Sequence, residues 1–397
     1  MNKIEVSTLK PGQIFSMPVF SEEENLLVPA FVPLRQKDID FLVGFDIEEV
    51  YTEGLLLTTN AANAANAANE KPVLEEQKKA VKPTGPVKFS ISDVQQNSGP
   101  YRAYKILIKK LDVLFAAIKA AVDTDMHAVD SISTQLLQDL RDYPDSFVDY
   151  ILGGEVYGQE IAKSSVNTAI LSALTAQEMK LPNHKIQNIV SGALLHDVGM
   201  FRLSKGITEK KGGLSDAELE QIKSHPMHSS KIVTRELFGS HEVNMIAMQH
   251  HERWDGKGYP DGLSGAAIEL GARIVSVADA FEAMVSKKSY RNSLLGYQAV
   301  KNLLSDNGRR FDPDVIMAFT KIMGIYPIGS IVRLNNESVA RVVNVHHDAP
   351  LRPVIEMLID DDGVVLKIRE RPTIDLISEK SLFIKTAIDP KDFAGDE

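Results

Sequence analysis

The residues best suited to chemistry in this sequence lie between positions 196 and 279. In SGALLHDVGM, adjacent His196 and Asp197 close an apolar helical segment just before Gly199. An imidazole beside a carboxylate at a helix end can serve two cations, because the carboxylate has two oxygens and can bridge. His225 follows in IKSHPMHSS, with His228 one turn later on a neighbouring face. The block HHERWDGKGYP begins with His250 and His251, ends a helical run, and enters a loop carrying Asp255-Gly256, Gly258 and Tyr259-Pro260. Adjacent histidines diverge from a regular helix, yet both can reach one centre where the helix frays into a glycine-rich loop. Asp279 sits in ARIVSVADAFEAM among Ile274, Val275, Val277, Ala278 and Phe281. A carboxylate in so apolar a helix is costly to bury unless it is paired or bound to a cation. Four imidazoles and two carboxylates make a nitrogen and oxygen set suited to two ions of Fe, Mn or Zn type. The chemistry expected is that of a dinuclear metal centre.

These residues need helices to hold them. From residue 90 to residue 324 apolar residues recur three and four apart, which predicts an all-helical domain. Ser215 followed by Glu218 forms a capping box ahead of AELEQIKSHPMHSSKIVTRELF, which places His225 inside that helix. Asp312-Pro313 marks another start, and the apolar spacing of AYKILIKKLDVLFAAIKAAV predicts a helix packed on the core. After Tyr326-Pro327 the period becomes two, in GSIVRLNN, ESVARVVNVHH, PVIEMLIDDDGVVLKI and SLFIKTAI, so 325–397 reads as a β-rich extension with a hairpin turn at Asp362-Gly363. Residues 1–57 read as a small α+β module, in which a short helix feeds a strand within DIDFLVGFDIEEVYTE. Residues 58–89 carry an Asn-Ala-Ala repeat and charged, proline-containing chain with little to bury, the composition of a flexible linker. The fold class expected is therefore multidomain and mainly α, with the helical domain between a small α+β module and a short β-rich segment.

Composition narrows the rest. The 397 residues include no cysteine, which removes disulfides, thiolate metal sites and cysteine nucleophiles. A formal net charge of −10 disfavours a nucleic acid polymer or an anionic membrane surface as partner, while a small anion in a focused cationic pocket stays compatible. There is no apolar run near 18 residues and no signal peptide, so a cytoplasmic protein without a membrane span is expected. His346-His347, in the β tail, lack carboxylates in a ligand-like arrangement.

The order His-Asp, then His in a Lys-x-His-Pro-like context, then His-His-Glu-x-x-Asp-Gly-x-Gly-Tyr-Pro, then Val-Ala-Asp-x-Phe-x-Ala resembles the HD-GYP branch of the HD-domain phosphohydrolases, over roughly Tyr157 to Arg291. The resemblance implies a phosphodiesterase that hydrolyses cyclic di-GMP, a bacterial second messenger. It implies two divalent ions, Fe first and Mn or Zn as alternatives, on His196, Asp197, His225, His250, His251 and Asp279, with Asp197 the bridge. Glu160 falls on a further ligand position used by some members, and Lys288 and Arg291 fall where the family presents basic residues to substrate phosphate. Gly258, Tyr259 and Pro260 would form a rim that docks a partner, a GGDEF-type cyclase or another signalling protein, with Arg253 and Lys257 adding positive charge there. Such ions lower the pKa of a bridging water and stabilise charge on phosphoryl oxygens, so no protein nucleophile is required.

The sequence departs from the family pattern at three positions. Met200 stands where a lysine usually faces substrate phosphate, with Lys205, Lys210 and Lys211 in the following loop as candidates to compensate. Ser164 stands where many members have a histidine, which favours two metals over three. Lys288 replaces the usual arginine and loses bidentate phosphate geometry. Two functions follow from these facts: a working phosphodiesterase, or a slow or inactive relative that binds the nucleotide or a partner and signals through its flanking modules.

Overall fold

In the computed structural model, the described residues are parts of 2–57 and then 99–388 apart from 145, 154–159, 209, 211–212 and 287–295. The expected linker, residues 58–89, and most of the short helix expected before residue 49 lie outside this set.

The N-terminal segment forms β1 (Asn2–Glu5), β2 (Ile14–Phe15), β3 (Val19–Ser21), β4 (Leu26–Val28), β5 (Glu49–Thr52) and β6 (Leu56–Leu57). One sheet has the order β1-β5-β3-β4, and β2 pairs with β6. The period of two is visible in β5, where Val50 and Thr52 are buried and their neighbours half-exposed.

The helical unit runs α1 (Gly99–Lys119), α2 (Met126–Asp142), α3 (Phe147–Gly153), α4 (Glu160–Glu178), α5 (Asn183–Leu195), α6 (Lys205–Thr208), α7 (Asp216–Ile222), α8 (His225–Lys231), α9 (His241–Gln249), α10 (Leu270–Val285), α11 (Gly296–Ser305) and α12 (Pro313–Met323). α1 buries Tyr104, Leu107, Ile108, Leu111, Leu114, Phe115 and Ile118, the stripe that its spacing predicts. α4 is the axis of the unit: it packs against α1, α5, α10 and α12, and buries Val166, Ala169, Ile170 and Ala173 together with Ser165, Asn167, Thr168 and Ser172. No helix among the described residues is long and apolar enough to cross a membrane.

The chain breaks where one helix was expected. α7 starts on the Ser215–Glu218 capping box but stops at Ile222, and α8 begins afresh at His225 with Pro226 in its first turn. Proline has no N–H to donate, and its ring clashes with the preceding turn, so the helix has to restart there. His225 is thus the first residue of a helix rather than an interior one.

Three helices converge through missing side chains. A Cβ on Gly192 of α5 would lie 2.5 Å from Cγ2 of Ile246 on α9, and one on Gly271 of α10 would lie 2.6 Å from Cδ1 of the same residue. Ile246 is fully buried, so it cannot swing aside. Glycine at both positions lets α5, α9 and α10 close on one isoleucine, which brings together the parts of the chain that carry His196, His250 and Asp279.

The C-terminal segment forms β7 (Ile331–Leu334), β8 (Val339–Asn344), β9 (Val354–Ile359), β10 (Thr373–Asp375) and β11 (Ile384–Ile388), an antiparallel sheet of order β10-β9-β8-β7-β11. The turn at Asp362-Gly363 is present, with Gly363 at φ 82° and Asp360 N–H bonded to Val364 C=O at 3.1 Å. It does not lead into a full hairpin strand: the returning chain makes one bridge, Ile359 to Val365, and the edge partner of β9 is β10.

Gly271→Ala should cost roughly 1–3 kcal/mol of stability through overpacking. Adding Ile246→Val, which removes the clashing Cδ1, should make the double variant lose less than the sum of the two single losses in urea unfolding.

Candidate metal centre

The site is assembled from helix ends. His196 follows the last residue of α5, and Asp197 precedes a 3₁₀ turn, Val198–Arg202. His225 opens α8, His250 and His251 follow α9, and Asp279 lies within α10. Two close contacts set the first part. Gly199 N–H donates to Ser229 Oγ (2.9 Å), whose hydroxyl donates to His196 C=O (2.7 Å). A Cβ on Gly199 would sit 2.1 Å from the His225 carbonyl oxygen, so only glycine lets the turn after Asp197 lie on α8.

Three imidazoles are oriented in the same way. Nδ1 of His196 bonds the carbonyl of Ala193 at 2.7 Å, Nδ1 of His225 that of Ile222 at 2.7 Å, and Nδ1 of His250 that of Ala247 at 2.9 Å. A carbonyl only accepts, so each Nδ1 carries a proton, and Nε2 of each ring is the inward-facing nitrogen, a lone pair whenever that ring is neutral. The Nε2 atoms of His225 and His250 face each other at 3.2 Å. Two lone pairs at that distance repel unless a proton or a cation lies between them.

Asp197 divides its oxygens. Oδ1 lies 3.2 Å from His225 Nε2 and 3.9 Å from His250 Nε2, whereas Oδ2 lies 3.6 Å from His196 Nε2. Oδ1 of Asp279 is 3.6 Å from the same His196 Nε2, which is fully buried and makes no hydrogen bond. Ligand atoms of Asp197, His225, His250 and His251 all fall within 4.8 Å of one another. The donor set of Asp197, His225, His250 and His251 fits a metal ion, and His196 and Asp279 stand on the other side of the same carboxylate.

The electrostatics agree with this division. Burial works against an ionised Asp197, but His196, His225 and His250 outweigh it and hold the carboxyl well below its ordinary range. Asp279 is likewise lowered: burial opposes ionisation and the facing His196 overcomes it. Burial alone would lower His196, yet the two carboxylates push it up to about 9. His250 is driven well below its usual value by burial and by the neighbouring histidines, and burial first, then His225, takes His251 down to about 3.

The loop after His251 forms a wall. Tyr259 stacks on His251 with ring centroids 4.8 Å apart. A Cβ on Gly258 would lie 2.4 Å from Arg253 N and 2.5 Å from Glu252 Cα, so the loop folds back only with glycine there. Buried Glu252, which the sequence reading passed over, accepts from the N–H groups of Asp261 (2.7 Å), Gly262 (3.1 Å) and Leu263 (3.0 Å) and pins the loop. Its signal was its place in the HHE block, between the histidines and the glycine-rich loop. Gly258, Tyr259 and Pro260 are half-buried. These contacts give the loop a role as site wall and lend no support to docking of a GGDEF-type cyclase.

The other residues named from sequence lie elsewhere. Met200 is half-buried on the 3₁₀ turn after Asp197. Glu160 is the first residue of α4, and its side chain lies outside the described set, as do Lys288, Arg291 and Lys211. Lys210 is engaged by Glu218 at 2.7 Å, and Arg253 by Asp255 in a bidentate pair at 3.0 and 2.8 Å, so neither offers a free charge to a ligand. Ser164 donates to buried Glu282 at 2.6 Å.

Residues 157–315 match the HD domain family, and residues 331–396 match the KOW domain associated with HD domain. Cyclic di-GMP phosphodiesterase PdeB of Borreliella burgdorferi is 33% identical over 221 residues, 56% of this chain and 58% of that protein. Cyclic di-GMP phosphodiesterase PA4108 of Pseudomonas aeruginosa is 31% identical over 245 residues, 61% of this chain and 58% of that protein. Residues 157–315 are an HD domain, similar to those of the HD-GYP phosphodiesterases. The 3'3'-cGAMP-specific phosphodiesterase 2 of Vibrio cholerae is 30% identical over 183 residues, 46% of this chain and 35% of that protein. The chain thus spans less than two thirds of the length of each of these relatives.

Because His196 sits near 9 in the metal-free site, a cation must displace its proton at neutral pH. Apparent metal affinity should therefore rise with pH and level off above about 9. Calorimetry in buffers of different ionisation enthalpy should show proton release on metal binding at pH 7 that vanishes above that value; constant release across the range would refute it.

Proposed function

We propose that this chain is a metal-dependent phosphodiesterase acting in the cytoplasm, and that it hydrolyses a cyclic dinucleotide, cyclic di-GMP in the first place, at a dinuclear centre. The observation that carries this reading is the split carboxylate of Asp197, with inward-facing imidazole Nε2 atoms on either side of it. His196, Asp197 and Asp279 would hold one divalent ion, and Asp197, His225, His250 and His251 the other. The nitrogen-rich, thiolate-free set suits Fe, Mn or Zn. When bound, such ions supply Lewis acidity and an activated water for in-line displacement at phosphorus.

The protein's own contributions follow from the geometry. Asp197 stays ionised and fixes the spacing of the two positions. The carbonyls of Ala193, Ile222 and Ala247 hold the imidazole tautomers, so no ring has to turn before it can bind. Tyr259 covers His251 and keeps solvent off that side, and burial raises its phenol, which therefore stays protonated and available as a donor. The names of the relatives support a cyclic dinucleotide as substrate.

Met200 favours a second reading. A thioether on the turn after Asp197 supplies neither charge nor a strong donor to a phosphate, which would suit a protein that binds the nucleotide and turns it over slowly or not at all.

Protein loaded anaerobically with Fe(II) or Mn(II) should carry two ions per chain and convert cyclic di-GMP to a linear product. Asp197→Ala should lose metal and turnover together, and less than one ion in the unsubstituted chain would refute the dinuclear site. Turnover confined to Met200→Lys would assign the natural protein to the second reading.

A further inference from the structure

A phosphate at this centre calls for a protein cation, and among the described residues three arginines near the loop are already paired. Around the loop that follows His251, Arg253 is held by Asp255, Arg273 by Asp312 at 2.6 Å, and Arg309 by Asp306. Arg310 differs: no carboxylate among the described residues pairs with it. Its backbone is fixed. The N–H of Trp254 donates to Arg310 C=O at 3.0 Å and that of Asp255 to Arg309 C=O at 2.9 Å, which ties residues 309–310 to the chain just after His251. The turn holding them is closed by Gly308, at φ 67°, whose N–H bonds Phe311 C=O at 3.0 Å. The half-buried guanidinium lies over the Phe311 ring, 4.9 Å from its centroid. Trp254 and Asp255 follow His251 closely in the chain, so their two N–H bonds set Arg310 beside the loop that carries the stacked pair His251 and Tyr259.

We propose that Arg310 is a phosphate-binding residue of this site, supplying the cationic contact to a phosphodiester that Met200 does not. The inference rests on the phosphodiesterase reading above. A guanidinium resting on an aromatic face keeps its N–H edge free, and that edge matches two phosphate oxygens at once. Half-buried cations without a counter-ion are costly, and loading the centre with divalent ions makes its surroundings more positive still. What the loaded site then lacks is an anion. The backbone tie sets Arg310 beside the loop that carries His251 and Tyr259, so it would act on a phosphate held against the loop wall and select for ligands with an anionic group there.

The test uses the full chain loaded with Mn(II) and a phosphorothioate analogue of cyclic di-GMP that resists hydrolysis, with affinity read by calorimetry and metal content by elemental analysis. Arg310→Ala and Arg310→Gln should weaken binding by roughly tenfold or more at unchanged metal content, since hydrogen bonds to charged groups are among the stronger ones. Arg310→Lys should fall between these variants and the natural residue, and Arg309→Ala should bind as the unsubstituted chain does. Unchanged affinity in Arg310→Ala beside a binding unsubstituted chain would overturn the assignment and leave the phosphodiesterase reading standing. Loss of metal in both Arg310→Ala and Arg310→Gln would make Arg310 a structural residue and also overturn it. Failure of the unsubstituted, metal-loaded chain to bind the analogue would remove both the reading and the inference.

Discussion

A carboxylate can face two electrophiles at once only if its two oxygens look into separate groups of donors, and the geometry around Asp197 satisfies that condition. The arrangement is electrostatically demanding. His225 and His250 direct lone pairs at one another, His196 is buried without a hydrogen bond to Nε2, and Asp279 brings a second carboxylate into the same space. Left without cations, such a site relies on a shared proton to offset like charges and lone pairs. Much of the helical unit serves to keep these groups from relaxing apart.

That rigidity is carried by backbone proximity more than by large side chains. Gly192 and Gly271 close three helices on Ile246, Gly199 seats the turn after Asp197 on α8, and Gly258 folds the loop back on Glu252. Polar pinning supplements it. Tyr104 donates to Asn167 at 2.7 Å, Asn167 donates to Glu282 at 3.2 Å, and Ser164 and Ser286 also donate to that buried carboxylate. Glu282 lies one turn beyond Asp279 on α10, so this network ties the helix that carries Asp279 to α1 and α4. A buried carboxylate with several donors fixes register where apolar contacts alone would let helices slide.

The sequence made the helical character of the central unit and the β character of the tail legible, because apolar period is a local property. It also singled out His196, Asp197, His225, His250, His251 and Asp279, which the fold brings together, since a charged residue inside a run such as IVSVADAF is conspicuous without knowledge of its neighbours. What it hid depends on distant partners. The restart at His225 was written in Pro226, but the capping box upstream invited one continuous helix. Glu252 reads as an ordinary acid until three loop N–H groups turn toward it. Arg310 looks like any loop arginine until Arg253, Arg273 and Arg309 are each seen to be neutralised, a subtraction that needs coordinates. Ser164, which stands where many members have a histidine, donates to Glu282, a partner 118 residues away in the sequence.

The bonds from imidazole Nδ1 to the carbonyls of Ala193, Ile222 and Ala247 all fall at the ends of helices, where the last carbonyls have no partner within the helix. Each of these histidines therefore closes a helix with one nitrogen and offers a ligand with the other. Fraying of the last turn and release of a ligand become a single event, and a cation held at Nε2 acts on the whole turn behind it. In hydrogen-exchange terms, the ends of α5, α7 and α9 form one cooperative unit whose opening free energy is set by what sits between them.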